Sequence, residues 1–172
     1  MFRGEYSVTL DDMGRIMLPR RLRDMLDNDV VLRKCEDGSI WLFTVEEWDK
    51  VENDVVKTTN IFSAQDLAIR RRYVATPVEI DKQGRILIPP TFRDHADLSK
   101  DCLIRGQFNF IEIWDEKKYK WYEKSSVTEY RAASEKISAR LNNIRDLGNG
   151  TDSSFSGTAG TGAGVSGPEG QA

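Results

Sequence analysis

"DDMGRIMLP" (Asp11–Pro19) returns seventy residues later as "DKQGRILIP" (Asp81–Pro89), with Asp, Gly, Arg, Ile and Pro unchanged. The match runs beyond the phrase. Val8–Asp24 laid on Val78–Asp94 gives eight identities in 17 positions: Val, Asp, Gly, Arg, Ile, Pro, Arg and Asp. Further on, "DVVLR" (Asp29–Arg33) matches "DCLIR" (Asp101–Arg105) after a two-residue shift. Two copies at a period longer than a solenoid's indicate one supersecondary unit, duplicated.

Both copies read alike. Tyr6, Val8 and Leu10 alternate with polar residues, as do Val78 and Ile80, which is the period of a half-buried strand. A charged turn follows, whose glycine, Gly14 or Gly84, supplies the positive φ such a turn needs. A second short strand comes next, Ile16–Leu18 or Ile86–Ile88. Pro19 or Pro89 ends it and opens a short helix, where a missing N–H costs nothing. Two more strands close each unit: Val30–Leu32 with Ile40–Phe43, and Cys102–Ile104 with Phe110–Ile113.

Helices are expected between and after the units. Thr44 and Glu47 form a capping-box pattern, and Val45, Trp48, Val51 and Val55 recur at helical spacing behind it. Ser63 and Asp66 start a linker helix running to about Arg72. Past Asp115 a long helical region carries Tyr130, Ala133, Ile137, Leu141 and Ile144 on one stripe. The resulting organisation is a first unit at 5–47, a helical linker at 48–75, a second unit at 76–119, and a helix at 120–147. The final segment, 148–172, holds eight of the chain's 13 glycines and almost no apolar bulk, and it reads as disordered. A unit of about 45 residues is too small to hold a core alone, so the copies should pack on each other about a pseudo-twofold axis.

The chain has 172 residues, 39% hydrophobic and 31% charged, which fits a globular protein. No run approaches the roughly 18–20 apolar residues of a membrane span, and "MFRGEYSV" lacks a secretory signal's apolar core. Cys35 and Cys102 sit in short apolar runs and read as core residues in a reducing cytoplasm. The net charge of −3 does not advertise a nucleic-acid binder. The distribution says more: arginines cluster at Arg15, Arg20, Arg21, Arg23 and at Arg70, Arg71, Arg72, away from the acids of "VEEWDKVEND".

Enzyme chemistry finds little to stand on. The lone histidine, His95, has Met25 as its counterpart in the first unit, which suits a packing residue better than a catalytic base. No Cys/His spacing suits a metal, no glycine loop suits a nucleotide, and no cofactor or small-molecule substrate is implied. The repeated turn remains. Asp11 or Asp81 can cap its own turn and pair with Arg15 or Arg85, holding the hairpin closed. The same arrangement can present an arginine fork outward, to phosphate or to a guanine edge. The two readings are compatible. The flanking Arg20, Arg21, Arg23 and Arg93 favour a polyanion.

Four stretches in order, "GEYSVTLDDMGRIMLP", "FTVEEWDKVE", "DLAIRRRYVATPVEIDKQGRILIPP" and "FIEIWDEKKY", resemble the MraZ family of bacterial transcriptional regulators. The resemblance covers residues 1 to about 125. It implies an α+β, mainly β fold: two swapped-hairpin β-barrel units of the AbrB type, with accessory helices. It implies a nucleoid-associated cytoplasmic protein that assembles into a ring-like homo-oligomer. Its partner would be double-stranded DNA, at G-containing direct repeats upstream of its own division and cell-wall operon, with repression the expected outcome. The family motif falls on Asp11 with Arg15, and on Asp81 with Arg85. Arg15, Arg85, Lys82, Arg20 and Arg21 are the expected DNA contacts, supported by Asp11, Gly14, Asp81 and Gly84. Such turns often carry a lysine just before Gly-Arg. Met13 and Gln83 stand there, with Lys82 one residue earlier. The apolar stripes of the helices (Trp48, Val51 and Val55; Tyr130, Ile137 and Leu141) are expected to meet neighbouring subunits. The competing expectation is an AbrB-like antitoxin or another protein-binding module. A tail with only Phe155 and Val165 as anchors weighs against it.

Overall fold

The structure, a computed structural model, describes residues 1–149. Most of the Gly/Ser-rich segment expected at 148–172 lies outside the described residues. Two compact units are present, Met1–Ser125 and the segment beginning at Ser126.

The first repeat contributes β1 (Glu5–Thr9), β2 (Arg15–Met17), α1 (Arg20–Arg23), β3 (Asp29–Lys34) and β4 (Ile40–Thr44). Then come α2 (Val45–Thr58) and α3 (Ala64–Arg70). The second repeat gives β5 (Ala75–Glu79), β6 (Arg85–Leu87), α4 (Pro90–Ala96), β7 (Asp101–Gln107) and β8 (Phe110–Asp115), followed by α5 (Glu116–Ser125). The caps follow the sequence pattern. Thr44 Oγ1 accepts from the Glu47 amide at 3.2 Å, and Ser63 Oγ accepts from the Asp66 amide at 3.3 Å. Pro19 and Pro89 stand at the N-caps of α1 and α4.

Each repeat gives its first strand to the other. β1 pairs with β7, and β5 pairs with β3, both antiparallel. The result is a six-stranded sheet in the order β1-β7-β8-β4-β3-β5. β2 and β6, one from each repeat, form a separate two-stranded ribbon. The chain is thus α+β with antiparallel sheets. The closed β-barrels expected from the sequence are not formed. The large sheet ends on β1 and β5, and only the isolated bridges Leu10–Ile16 and Ile80–Ile86 lead from those edges to the ribbon. The ribbon strands are three residues long, between a glycine turn and a proline that ends the pairing, so no continuous ladder can close.

The core belongs to both repeats. Ile16, Leu18 and Leu22 pack with Ile86, Ile88 and Phe92, and with Leu32, Leu42, Ile104 and Ile113 of the sheet. Neither repeat holds it alone, as its small size requires. A second cluster places Trp48, only 4% exposed, against Val31 and Phe43. Its pseudo-equivalent places Tyr119 against Trp114. Trp48 is therefore covered within its own chain and is not the subunit contact that the helical stripe suggested. Arg70 is also structural: its guanidinium donates to the Thr59 hydroxyl at 2.6 Å and to the Thr59 carbonyl at 2.9 Å, tying α3 to the end of α2.

Cys35 and Cys102 are buried and free. Burial pushes the Cys102 thiol up to about 12, so it is a core residue and not a reactive thiolate. α6 (Val127–Asn149) forms the second unit and leaves Tyr130, Ile137, Leu141 and Ile144 exposed. No described helix is long and apolar enough to cross a membrane.

Candidate nucleic-acid interface

The two charged turns are built alike, atom for atom. Asp11 Oδ1 accepts from the amides of Met13 at 3.0 Å and Arg15 at 2.8 Å, while Oδ2 accepts from Arg15 Nε at 2.9 Å. Asp81 Oδ1 accepts from the amides of Gln83 and Arg85, both at 2.9 Å, and Oδ2 from Arg85 Nε at 2.9 Å. Arg85 Nη2 also reaches Asp81 Oδ2 at 2.8 Å. The glycine amide closes each turn on the Asp carbonyl, at 2.8 Å in both. Gly14 and Gly84 have φ of +77° and +81°, the left-handed region where glycine has no Cβ penalty.

These bonds depress both carboxyl groups below their ordinary value of 3.8, first through the amides of Arg15 and Arg85, against some desolvation, with the guanidinium groups adding to the effect. The sign is that of a carboxylate stabilised in the fold. Its contribution is present above the unfolded value and is lost as pH falls through the folded one. Asp11→Asn with Asp81→Asn should therefore be less stable than the parent at neutral pH. The gap should narrow as acid protonates the parent's carboxylates. Thermal unfolding across pH 2–7 measures this, and a gap independent of pH contradicts it.

The ribbon sets where the arginines point. Arg15 pairs with Leu87, and Met17 pairs with Arg85. Paired residues share a face of a two-stranded ladder, so Arg15, Met17, Arg85 and Leu87 form one face. Ile16 and Ile86, fully buried, form the other. The outward face thus carries two arginines diagonally placed, each held by its Asp, with two exposed apolar side chains between them. The Asp thus closes the hairpin and also holds a partly exposed guanidinium.

The remaining expected contacts separate. Lys82 is exposed on the second turn, next to Asp81. Arg20 and Arg21 stand on α1, outside the ribbon, and Arg20 pairs with Asp24 at 3.5 Å. Arg23 and Arg93 lie against the turns instead. Arg93 lies where a Cβ on Gly14 would be, 2.9 Å from its Cζ, and Arg23 does the same at Gly84. Arg23 Nη1 also donates to the Gln83 carbonyl at 3.4 Å. Each repeat's helix therefore brings an arginine against the other repeat's turn. The signal was in the sequence, because Arg23 and Arg93 are one of the eight identities at the seventy-residue offset. Among the described residues, no group of His, Cys, Asp and Glu could hold a metal.

Comparison with known proteins points the same way. The family described as "MraZ protein, putative antitoxin-like" matches twice along the chain, over residues 1–71 and 74–141. A protein of Treponema denticola named transcriptional regulator MraZ is 39% identical over 137 residues, 78% of this chain and 95% of its own. Its namesake in Treponema pallidum is 39% identical over 139 residues, 79% of this chain and 93% of its own. That of Oenococcus oeni is 35% identical over 140 residues, 80% and 96%. These are names of regulators, not of enzymes. With the duplicated turn, the strand exchange between repeats and matches over nearly the whole described length, the chain belongs to the MraZ family.

Proposed function

We propose that this protein is a transcription regulator that binds double-stranded DNA with the outward face of the β2–β6 ribbon. One observation carries the reading: Arg15 and Arg85 share that face, each steered by a carboxylate fixed to its own turn. A two-stranded ribbon fits the major groove, and an arginine fork reads O6 and N7 of guanine there. Phosphate contacts from Lys82, and from Arg20 and Arg21 beside the ribbon, set the register. The relatives' name supports regulation. The exchange of first strands between repeats supports the swapped-hairpin, AbrB-like reading of the fold. On this reading the targets are G-containing direct repeats upstream of the protein's own division and cell-wall operon. The outcome is repression and the location is the cytoplasmic nucleoid.

Fluorescence anisotropy with DNA from upstream of the gene tests it. With a net charge of −3, general attraction to DNA is weak, so local cations must carry the binding. Affinity should fall with salt at a log–log slope near −0.9 per neutralised phosphate. An interaction indifferent to salt, or none, sinks the DNA reading. It leaves the second one, a protein-binding module, which the family's antitoxin-like description favours.

A further inference from the structure

The two repeats differ where their strands run out. In the first, pairing continues past β1. The Gly106 amide donates to the Gly4 carbonyl at 2.9 Å, and Phe2 and Phe108 exchange backbone bonds at 2.6 and 3.0 Å. This course needs a glycine, because a Cβ on Gly106 would lie 2.4–2.7 Å from backbone atoms of Phe2 and Arg3. Phe2 is buried there, and the adjoining hollow is lined by Met1, Met25 and Phe108 together with Thr44, Glu47 and Asn109.

Where the second repeat's β5 pairs with β3, the place of Gly106 is taken by Lys34, by the two-residue-shifted alignment. A side chain there bars the linker from the course that the N-terminus takes. Pairing stops at Arg33 with Ala75. Arg72 stands in place of Phe2, Arg71 in place of Met1, and His95 in place of Met25. A cavity of about 460 Å³ is left, walled by Lys34, Glu36, Arg71, Arg72, Phe92 and His95. So both copies leave a hollow of similar size at this point, about 410 and 460 Å³, but lysine, arginine and histidine side chains line only the second.

The cations in the wall exceed its single carboxylate, Glu36. Among the described residues, none of Lys34, Arg71 and Arg72 is in an ion pair. Lys34 Nζ lies 5.2 Å over the Phe92 ring. Glu36 also lines the cavity, and its carboxylate accepts from Arg33 Nη2 at 3.2 and 3.3 Å. His95 Nε2 is hydrogen-bonded to the Cys35 carbonyl at 2.7 Å, which fixes the ring in the wall. Thr76 and Thr91 add hydroxyl donors.

We infer that this cavity is a binding site for a small phosphate-bearing anion. Guanidinium forks meet phosphate oxygens bidentately, and an ammonium adds a point charge. The volume falls within the range of small-molecule sites, roughly 300–1,000 Å³, so it suits a phosphorylated compound better than a bare halide. None of these residues belongs to the ribbon, so the inference goes beyond the DNA reading. A phosphate of bound DNA is the other source of the same chemistry.

Inorganic pyrophosphate is the probe, titrated calorimetrically into the full chain at low ionic strength. Saturable binding is expected. Arg72→Ala and His95→Met should each weaken it at least about tenfold, while Lys57→Ala, a cation elsewhere, leaves it unchanged. His95→Met is compatible with folding because Met25 fills the equivalent place in the first repeat. Absence of saturable binding overturns the inference, as does binding that these variants leave intact or that Arg15→Ala with Arg85→Ala removes. Arg72→Ala should also keep the parent's affinity for upstream DNA. A fall there without any pyrophosphate binding assigns the cluster to DNA phosphates and overturns the small-anion site. The titration contains no DNA, so a failure of the DNA reading leaves its result standing.

Discussion

Arg15→Ala combined with Arg85→Ala is expected to abolish specific DNA binding and to leave the fold in place. A bidentate arginine–guanine contact is worth about 1–3 kcal/mol, so losing two lowers affinity by roughly 30-fold to 10⁴-fold, at tenfold per 1.4 kcal/mol. The fold should survive because truncation spares what closes the turns. Asp11 and Asp81 still accept from the backbone amides of residues 13, 15, 83 and 85. Ile16 and Ile86 still bury the ribbon's inner face. Anisotropy with upstream DNA gives the affinity, and circular dichroism reports the fold. Arg15→Lys with Arg85→Lys separates charge from geometry. It should keep the salt-sensitive attraction to any DNA and lose most of the preference for the upstream sequence over a scrambled one. If the alanine variant unfolds, or binds as the parent does, the arginines serve the hairpin alone.

The sequence disclosed what is local. The positive-φ glycines, the Asp-capped turns, the prolines opening α1 and α4, and the Thr44 and Ser63 caps all rest on residues within a few positions of each other. It did not disclose which copy a strand pairs with. Both repeats carry the same alternation, so β1 suits β3 as well as β7. The choice is made by the shared core and not by any local signal. The same limit applies to closure of the barrel and to Trp48. Its helical stripe is real, but Phe43 covers the indole from a strand, at a ring separation of 5.5 Å. At the site, the sequence named the arginines that the ribbon presents. Arg23 and Arg93 stood in it only as flanking cations, because their placement depends on one repeat's helix meeting the other repeat's turn.

A second large effect is expected on lengthening the DNA target. One ribbon offers two arginines to a groove, which suffices for a weak contact and not for an operator. Several ribbons on linked subunits turn each contact after the first into an intramolecular one, and that raises affinity by about 10²–10⁴-fold without new chemistry. The chain carries uncovered apolar side chains suited to such assembly. Phe62 is 91% exposed at the turn between α2 and α3, next to the exposed Ile61, Val56 is exposed on α2, and α6 exposes Tyr130 at 72% along with Ile137 and Leu141. Patches of this kind commonly mark subunit contacts. Because the two repeats are not identical, a head-to-tail contact between copies is available, and such contacts close into rings when the rotation permits. The protein should therefore be a large homo-oligomer by light scattering coupled to size exclusion, and Phe62→Ser with Ile137→Ser should shrink it. A probe with three or more direct repeats should bind about 10²–10⁴-fold more tightly than a probe with one, and that advantage should vanish in the shrunken variant while single-repeat binding persists. A monomer with equal affinity per repeat on both probes would show that each ribbon acts alone.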